Sequence, residues 1–162
     1  MDKIKTYIIV LVATFPQWHT KKEQYTYFKE SIFNGISQGQ RGLKIHTIRG
    51  SYELWKKRID EINSGKAILS IRQWTGKPYH SRQVEILRLE KAGIQKIRSM
   101  DDTHAYIVND KGNVLPVPLQ ELSANDGLEL SDFMEWLRHS GPTPNNPVAI
   151  IHFTEYRYWN YR

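Results

Sequence analysis

The chain has 162 residues, 40% of them hydrophobic and 25% charged, which suits one globular domain over residues 1–162 with enough apolar surface for a core. It contains no cysteine, excluding disulfides, thiolate metal sites and cysteine nucleophiles, and no apolar run approaches the roughly 20 residues of a membrane span. The net charge of +6 is unevenly placed: residues 41–98 hold 14 Lys or Arg against 5 Asp or Glu, whereas in residues 99–136 eight acids face Lys111 alone.

That asymmetry has two readings, a basic face for a polyanion such as nucleic acid or an unevenly charged solvated surface. The apolar stretch at residues 7–13 is short and precedes no small-residue cleavage site, so it reads as a buried strand rather than a signal peptide, and the expected location is cytoplasmic, away from membranes.

In chain order, residues 4–15 are β-branched and aromatic and stop at Pro16, the pattern of a central or first strand. Thr20 is placed to cap a helix over residues 21–34, in which Tyr25, Phe28 and Ile32 fall at helical spacing and Gly35 ends the run. A Gly/Gln/Ser-rich loop containing Arg41 leads to strand 43–49. Gly50 and Ser51 break that strand and cap a second helix with the stripe Trp55, Ile59 and Ile62, ended by Gly65. Residues 67–74 alternate, with Ala67, Leu69 and Ile71 on one face and Ser70, Arg72 and Trp74 on the other.

A Thr75-Gly76-Lys77-Pro78 turn precedes strand 84–89, and shorter strands are expected at 94–97, 105–108 and 114–117. Ser131 caps a third helix carrying Phe133, Met134 and Leu137, and a proline-rich loop from Gly141 leads to strand 148–153. The sum is an α+β domain, a small barrel of about six strands with two or three flanking helices.

The helix, the glycine and then Lys44-Ile45-His46-Thr47-Ile48-Arg49 resemble the signature segment of ASCH domains, a branch of the PUA-like superfamily in which a helix and glycine precede a Lys-x-x-Thr-Ile-Arg strand. Residues 69–79 resemble that family's central barrel strand, residues 122–137 its acidic residue followed by a helix, and residues 149–153 its closing strand, while residues 75–121 match only loosely. The resemblance implies a PUA-like barrel with an RNA or nucleotide ligand beside the motif, and some members resemble amidohydrolases that deacetylate acetylcytidine. Carried to this chain, it implies Lys44 and Thr47 as catalytic or ligand-contacting, Arg49 as a supporting cation and Asp126 as the acid, where the hydrolases carry the longer glutamate. The residues themselves also allow a solvated Lys44, an ordinary strand Thr47 and a purely structural Asp126 before Gly127.

Geometry sets a condition on this group. On a regular strand Lys44 and Thr47 point to opposite faces, so their cooperation needs a bulge or a strand start between them. His46 lies inside the motif and either touches a ligand or packs in the strand.

A second constellation joins Arg72, Trp74, Lys77, Tyr79, His80 and Arg82. Cations interleaved with aromatics suit nucleic acid, phosphates meeting the cations and bases stacking on the rings. Trp74 is either that stacking surface or a core residue with its indole N–H at the surface. The aromatic and basic tail at residues 155–162 is read as covering a sheet edge or as a contact with a second copy, outside the site.

His19, His46, His80, His104, His139 and His152 show no metal-ligand spacing, and no phosphate-cradling or dinucleotide motif is present, so neither metal nor cofactor is expected. The leading expectation is a module binding RNA or a modified nucleoside through Lys44, His46, Thr47, Arg49, Arg72, Trp74, Lys77, Tyr79 and Arg82. The alternative is a metal-independent amidohydrolase using Lys44, Thr47 and Asp126.

Overall fold

The computed structural model describes residues 3–38, 43–109, 111–143 and 145–158, and Arg41 and the end of the tail, 159–162, lie outside them. Among the described residues eight strands and four helices follow in the order β1 (Lys5–Leu11), α1 (Phe28–Gln38), β2 (His46–Arg49), α2 (Tyr52–Asn63), β3 (Ala67–Trp74), β4 (Gln83–Leu89), β5 (Gly93–Met100), β6 (His104–Val108), β7 (Val114–Pro118), α3 (Leu119–Asn125), α4 (Leu130–Ser140) and β8 (Val148–His152). The α+β class is as expected. The closed barrel is not: the strands form two open sheets, β1-β3-β4 and β2-β8-β5-β6-β7.

The small sheet pairs β1 parallel to β3, from Lys5 opposite Ala67 to Leu11 opposite Gln73. A parallel pair cannot close through a tight turn; the crossover here carries α1, β2 and α2. Of the two expectations for it, β1 is the first strand and not a central one: it lies at the edge of the sheet, and Ile8 on it is exposed. In the five-stranded sheet every pairing is antiparallel. Its edge strand β7 carries Pro116 and Pro118, residues that a sheet edge tolerates because they donate no hydrogen bond there.

β8 explains where the core sits. Its run Val-Ala-Ile-Ile-His is buried throughout, the pattern of a strand covered on both faces. Ala149 and Ile151 join a cluster with Ile9, Leu69, Ile71, Trp55 and Ile59, while Val148 and Ile150 join a second with Ile97, Ile107, Leu122, Phe133 and Leu137. The α2 stripe Trp55, Ile59 and Ile62 is buried as its spacing predicts.

Three helix boundaries depart from the sequence reading. α1 starts at Phe28, not Lys21, because residues 16–24 make successive turns, with His19 N bonded to Pro16 O, Lys22 N to His19 O and Gln24 N to Lys21 O, and because Glu23 (φ 68°) and Tyr27 (φ 59°) take the left-handed region that a right-handed helix excludes. Thr20 instead bonds the Glu135 carboxylate through both its backbone N and its hydroxyl. Gly35 lies inside α1: a Cβ there would sit 3.1 Å from Ile45 Cγ2 and 3.2 Å from Lys44 O, so the glycine admits the chain entering β2. Ser51 occupies the N-cap position of α2 with no side-chain cap bond, α4 begins at Leu130 with Glu129 before it, and α3 was not expected. Among the described residues no helix is long and apolar enough to cross a membrane.

Candidate functional site

β2 begins at His46, whose first ladder partner is His152. Lys44 and Ile45 precede the ladder, with Ile45 N bonded to Asn125 O at 2.9 Å, and this is the strand start that the Lys44/Thr47 pairing requires. Both side chains consequently line one cleft of about 240 Å³, together with Arg49 and Asp126. Val10, Phe28, Leu128 and Trp136 supply apolar walls.

Lys44 is buried and gripped from three sides. Its backbone N donates to Ser31 Oγ at 2.7 Å, its Nζ lies 4.2 Å from the centre of the Phe28 ring, and the same Nζ donates to Asp126 O at 3.0 Å and Asp126 Oδ1 at 3.2 Å. The side chain of Asp126, although shorter than glutamate, reaches the lysine because Asp126 is the C-cap of α3, with its N–H bonded back to Leu122 O. Gly127 follows at φ +79°, and a Cβ on it would stand 2.8 Å from Lys44 Cβ. Two glycines thus press against one lysine.

Behind Asp126 runs a one-way chain of hydrogen bonds. His46 Nδ1 lies 3.2 Å from Asp126 Oδ1 and His46 Nε2 lies 2.8 Å from the Tyr158 hydroxyl, which is 3.0 Å from Asn125 Nδ2. A carboxylate only accepts, so Nδ1 carries the proton; the neutral ring then accepts at Nε2 from Tyr158, whose oxygen accepts from Asn125. Nearby, His152 Nε2 donates to Gln95 Oε1 at 2.9 Å, while His152 Nδ1 has no hydrogen-bond partner among the described residues.

Burial dominates the protonation of this group. It lowers the Lys44 ammonium below the ordinary lysine value, against the attraction of Asp126 and with the help of the Arg49 charge. Burial would raise the Asp126 carboxyl, but the Lys44 charge and the His46 bond outweigh it and hold the group below the usual carboxylate range. Burial also keeps His46 and His152 neutral and pushes the Tyr158 hydroxyl up. Asp126 is thus an anion facing a lysine that gives up its proton more readily than usual. Arg49 Nη2 donates to Val10 O at 3.2 Å, tying β2 to β1 at the cleft wall.

No family model, curated protein or solved structure matches the chain.

The expected residues separate into three places. Lys44, Thr47, Arg49 and Asp126 meet in the cleft. His46 is fully buried behind Asp126 and does not line the cleft, so it serves the carboxylate instead of touching a ligand. The β3–β4 residues lie elsewhere: Trp74 and Lys77 line two other grooves, Tyr79 rests on Trp74 with ring centres 5.2 Å apart, Arg72 Nε donates to Ser70 Oγ at 3.0 Å, and Arg82 is exposed, with its backbone paired to Thr75. The placement of the tail outside the site is corrected at Tyr158. Tyr158 is fully buried in the second core cluster and touches His46, so this residue reaches the site from behind. No local sequence signal marks Tyr158 or Asn125, because their role depends on contacts 112 and 33 positions away.

Proposed function

We propose that this chain is an ASCH-type, PUA-like domain whose cleft binds a nucleoside or nucleotide. One observation carries the reading: Lys44, Thr47 and Arg49 of the signature strand share a cleft with Asp126, the acid that the resemblance selected from a segment 82 positions away. At about 240 Å³ the cleft is below the roughly 300–1,000 Å³ of drug-sized pockets, which suits one base and sugar. Phe28 and Trp136 offer apolar walls for a base, Thr47 a hydroxyl, and Arg49 a fixed cation for a carbonyl or phosphate oxygen.

Calorimetric titration with the four ribonucleosides, their 5′-monophosphates and acetylcytidine tests this, in the wild type, in Thr47→Val, which keeps the side-chain shape, and in Arg49→Gln, which removes the charge. Saturable binding of at least one compound is expected, weakened about tenfold or more by each substitution, the effect of losing roughly 1.4 kcal/mol. Absence of binding, or binding indifferent to both changes, rejects the reading.

A second reading, hydrolysis of an acylated nucleoside, draws on the lowered Lys44 and on Thr47, whose hydroxyl has no hydrogen-bond partner among the described residues. In that mechanism neutral Lys44 takes the Thr47 hydroxyl proton, and the oxygen attacks the amide carbonyl as Arg49 faces the developing oxyanion. The C–N bond then breaks, the amine leaves with the proton from Lys44, and water releases the acid from the threonine ester. Acetate release from acetylcytidine should persist in Thr47→Ser and vanish in Thr47→Val; equal rates in both would remove the mechanism.

A further inference from the structure

Three depressions adjoin beside the small sheet. The cleft shares Val12 with a groove that also reaches Pro16 and Lys77, and this groove shares Ala13, Tyr25 and Thr75 with a third depression reaching Tyr27, Trp74 and Val84. The cleft that holds Lys44 and Thr47 and a patch of aromatic rings thus flank one intervening groove.

The rings are presented to solvent at some cost. Tyr25 and Tyr27 are 65% and 64% exposed, and Tyr79, packed on Trp74, is 87% exposed. Tyr27 (φ 59°) and Tyr79 (φ 64°) both sit in the left-handed region, which disfavours bulky side chains. Tyr27 lines the third depression and Tyr79 packs on Trp74, which lines it too, so two exposed tyrosines held in a strained backbone region frame one patch.

Charge on the hairpin wall indicates the ligand class. Residues 72–82 contain Arg72, Lys77 and Arg82 and no acid. Arg72 is engaged with Ser70, but Lys77 and Arg82 are exposed and have no ion-pair partner among the described residues. The facing wall carries Lys29 against Glu23 and Glu30, so net positive charge lies along one side only. A flexible anionic chain with flat rings matches a one-sided basic wall beside aromatic faces.

We infer that this groove binds single-stranded nucleic acid, bases stacking on Tyr25, Tyr27 and Trp74 and phosphates following Lys77 and Arg82, so that the cleft receives a nucleotide that is part of a strand. The last clause rests on the nucleoside reading of the cleft. The groove itself does not.

Calorimetric titrations of the full chain with mixed mononucleotides and with random trinucleotide and pentanucleotide pools, ribo- and deoxyribo-, test the inference in the wild type, Tyr25→Ala and Trp74→Ala. Pentanucleotides should bind about tenfold or more tighter than mononucleotides, and this gain should shrink at least fivefold in both variants while mononucleotide affinity stays unchanged. Tyr25 is exposed enough for its variant to fold should Trp74→Ala fail. A gain confined to the ribo- pools identifies RNA; a gain in both identifies single strands generally. The same affinity at every length, as a peptide groove would give, overturns the inference and leaves the cleft reading intact. Pentanucleotide binding that needs Trp74, without any mononucleotide binding, supports the groove and rejects the cleft reading.

Discussion

Lys44 and Asp126 stand 82 positions apart, yet the lysine Nζ lies 3.0 Å from the Asp126 carbonyl oxygen and 3.2 Å from its carboxylate. In the buried setting this pair is worth less as net stabilisation than its disruption would cost, because removing one charge strands the other. Asp126→Asn is therefore expected to destabilise the fold by about 3 kcal/mol at neutral pH. The sign of its pH dependence follows from Lys44. Without Asp126 its folded pKa falls further below the unfolded lysine value, so the unfolded chain binds more protons over a wider range and stability rises with pH there. Urea unfolding at pH 7 and pH 9.5 should show the deficit narrowing at the higher pH.

Tyr158→Phe keeps the ring but removes the hydroxyl between His46 Nε2 and Asn125 Nδ2. Two buried polar atoms then lose a partner, with an expected loss of roughly 1–3 kcal/mol. The urea midpoint should fall with an unchanged m-value, since the surface buried by the fold stays the same.

Acid should unfold the protein through its buried histidines. Both His46 and His152 have folded pKa values depressed by burial, so below the unfolded value of about 6.5 the unfolded chain binds the extra protons and stability is lost as pH falls. Each contributes up to about 1.4 kcal/mol per pH unit in that window. The Tm measured from pH 7.5 to pH 5 should decline, and His152→Gln should flatten the decline.

Gly127→Ala tests the packing around the lysine. Its left-handed φ of +79° disfavours a side chain, and the added Cβ would meet Lys44 Cβ at 2.8 Å. A loss of about 1–3 kcal/mol is expected, with cleft binding weakened beyond the effect of an alanine on an open surface. Gly112→Ala, also left-handed (φ +82°) but with no atom within 4 Å of its Cβ, is the control. It should cost stability without touching the cleft.

Local pattern made much of this protein legible. The α2 stripe, the alternation of β3 and the apolar run of β8 announce helix, strand and buried strand because each follows from backbone periodicity and side-chain hydrophobicity alone. The Lys44-x-x-Thr47-Ile48-Arg49 strand and Asp126 were equally visible as residues. The start of α1 was not, because left-handed Glu23 and Tyr27 are held there by the turns and the Thr14–Tyr25 bridge rather than by their own preferences. Nor was α3, whose seven residues are too few to show a period.

Amino-acid order by itself determined most of the elements, the absence of thiol chemistry and the residues able to act as acid, base and cation. Tertiary structure decided which of them meet. A ladder beginning at His46 turns Lys44 toward the same cleft as Thr47, the end of α3 carries Asp126 to the lysine, and the returning tail sets Tyr158 behind His46. The same packing assigned Trp74 and Lys77 to other grooves. Such meetings depend on how sheets and helices close over separations of 80 or more residues, and no periodicity within one segment encodes them.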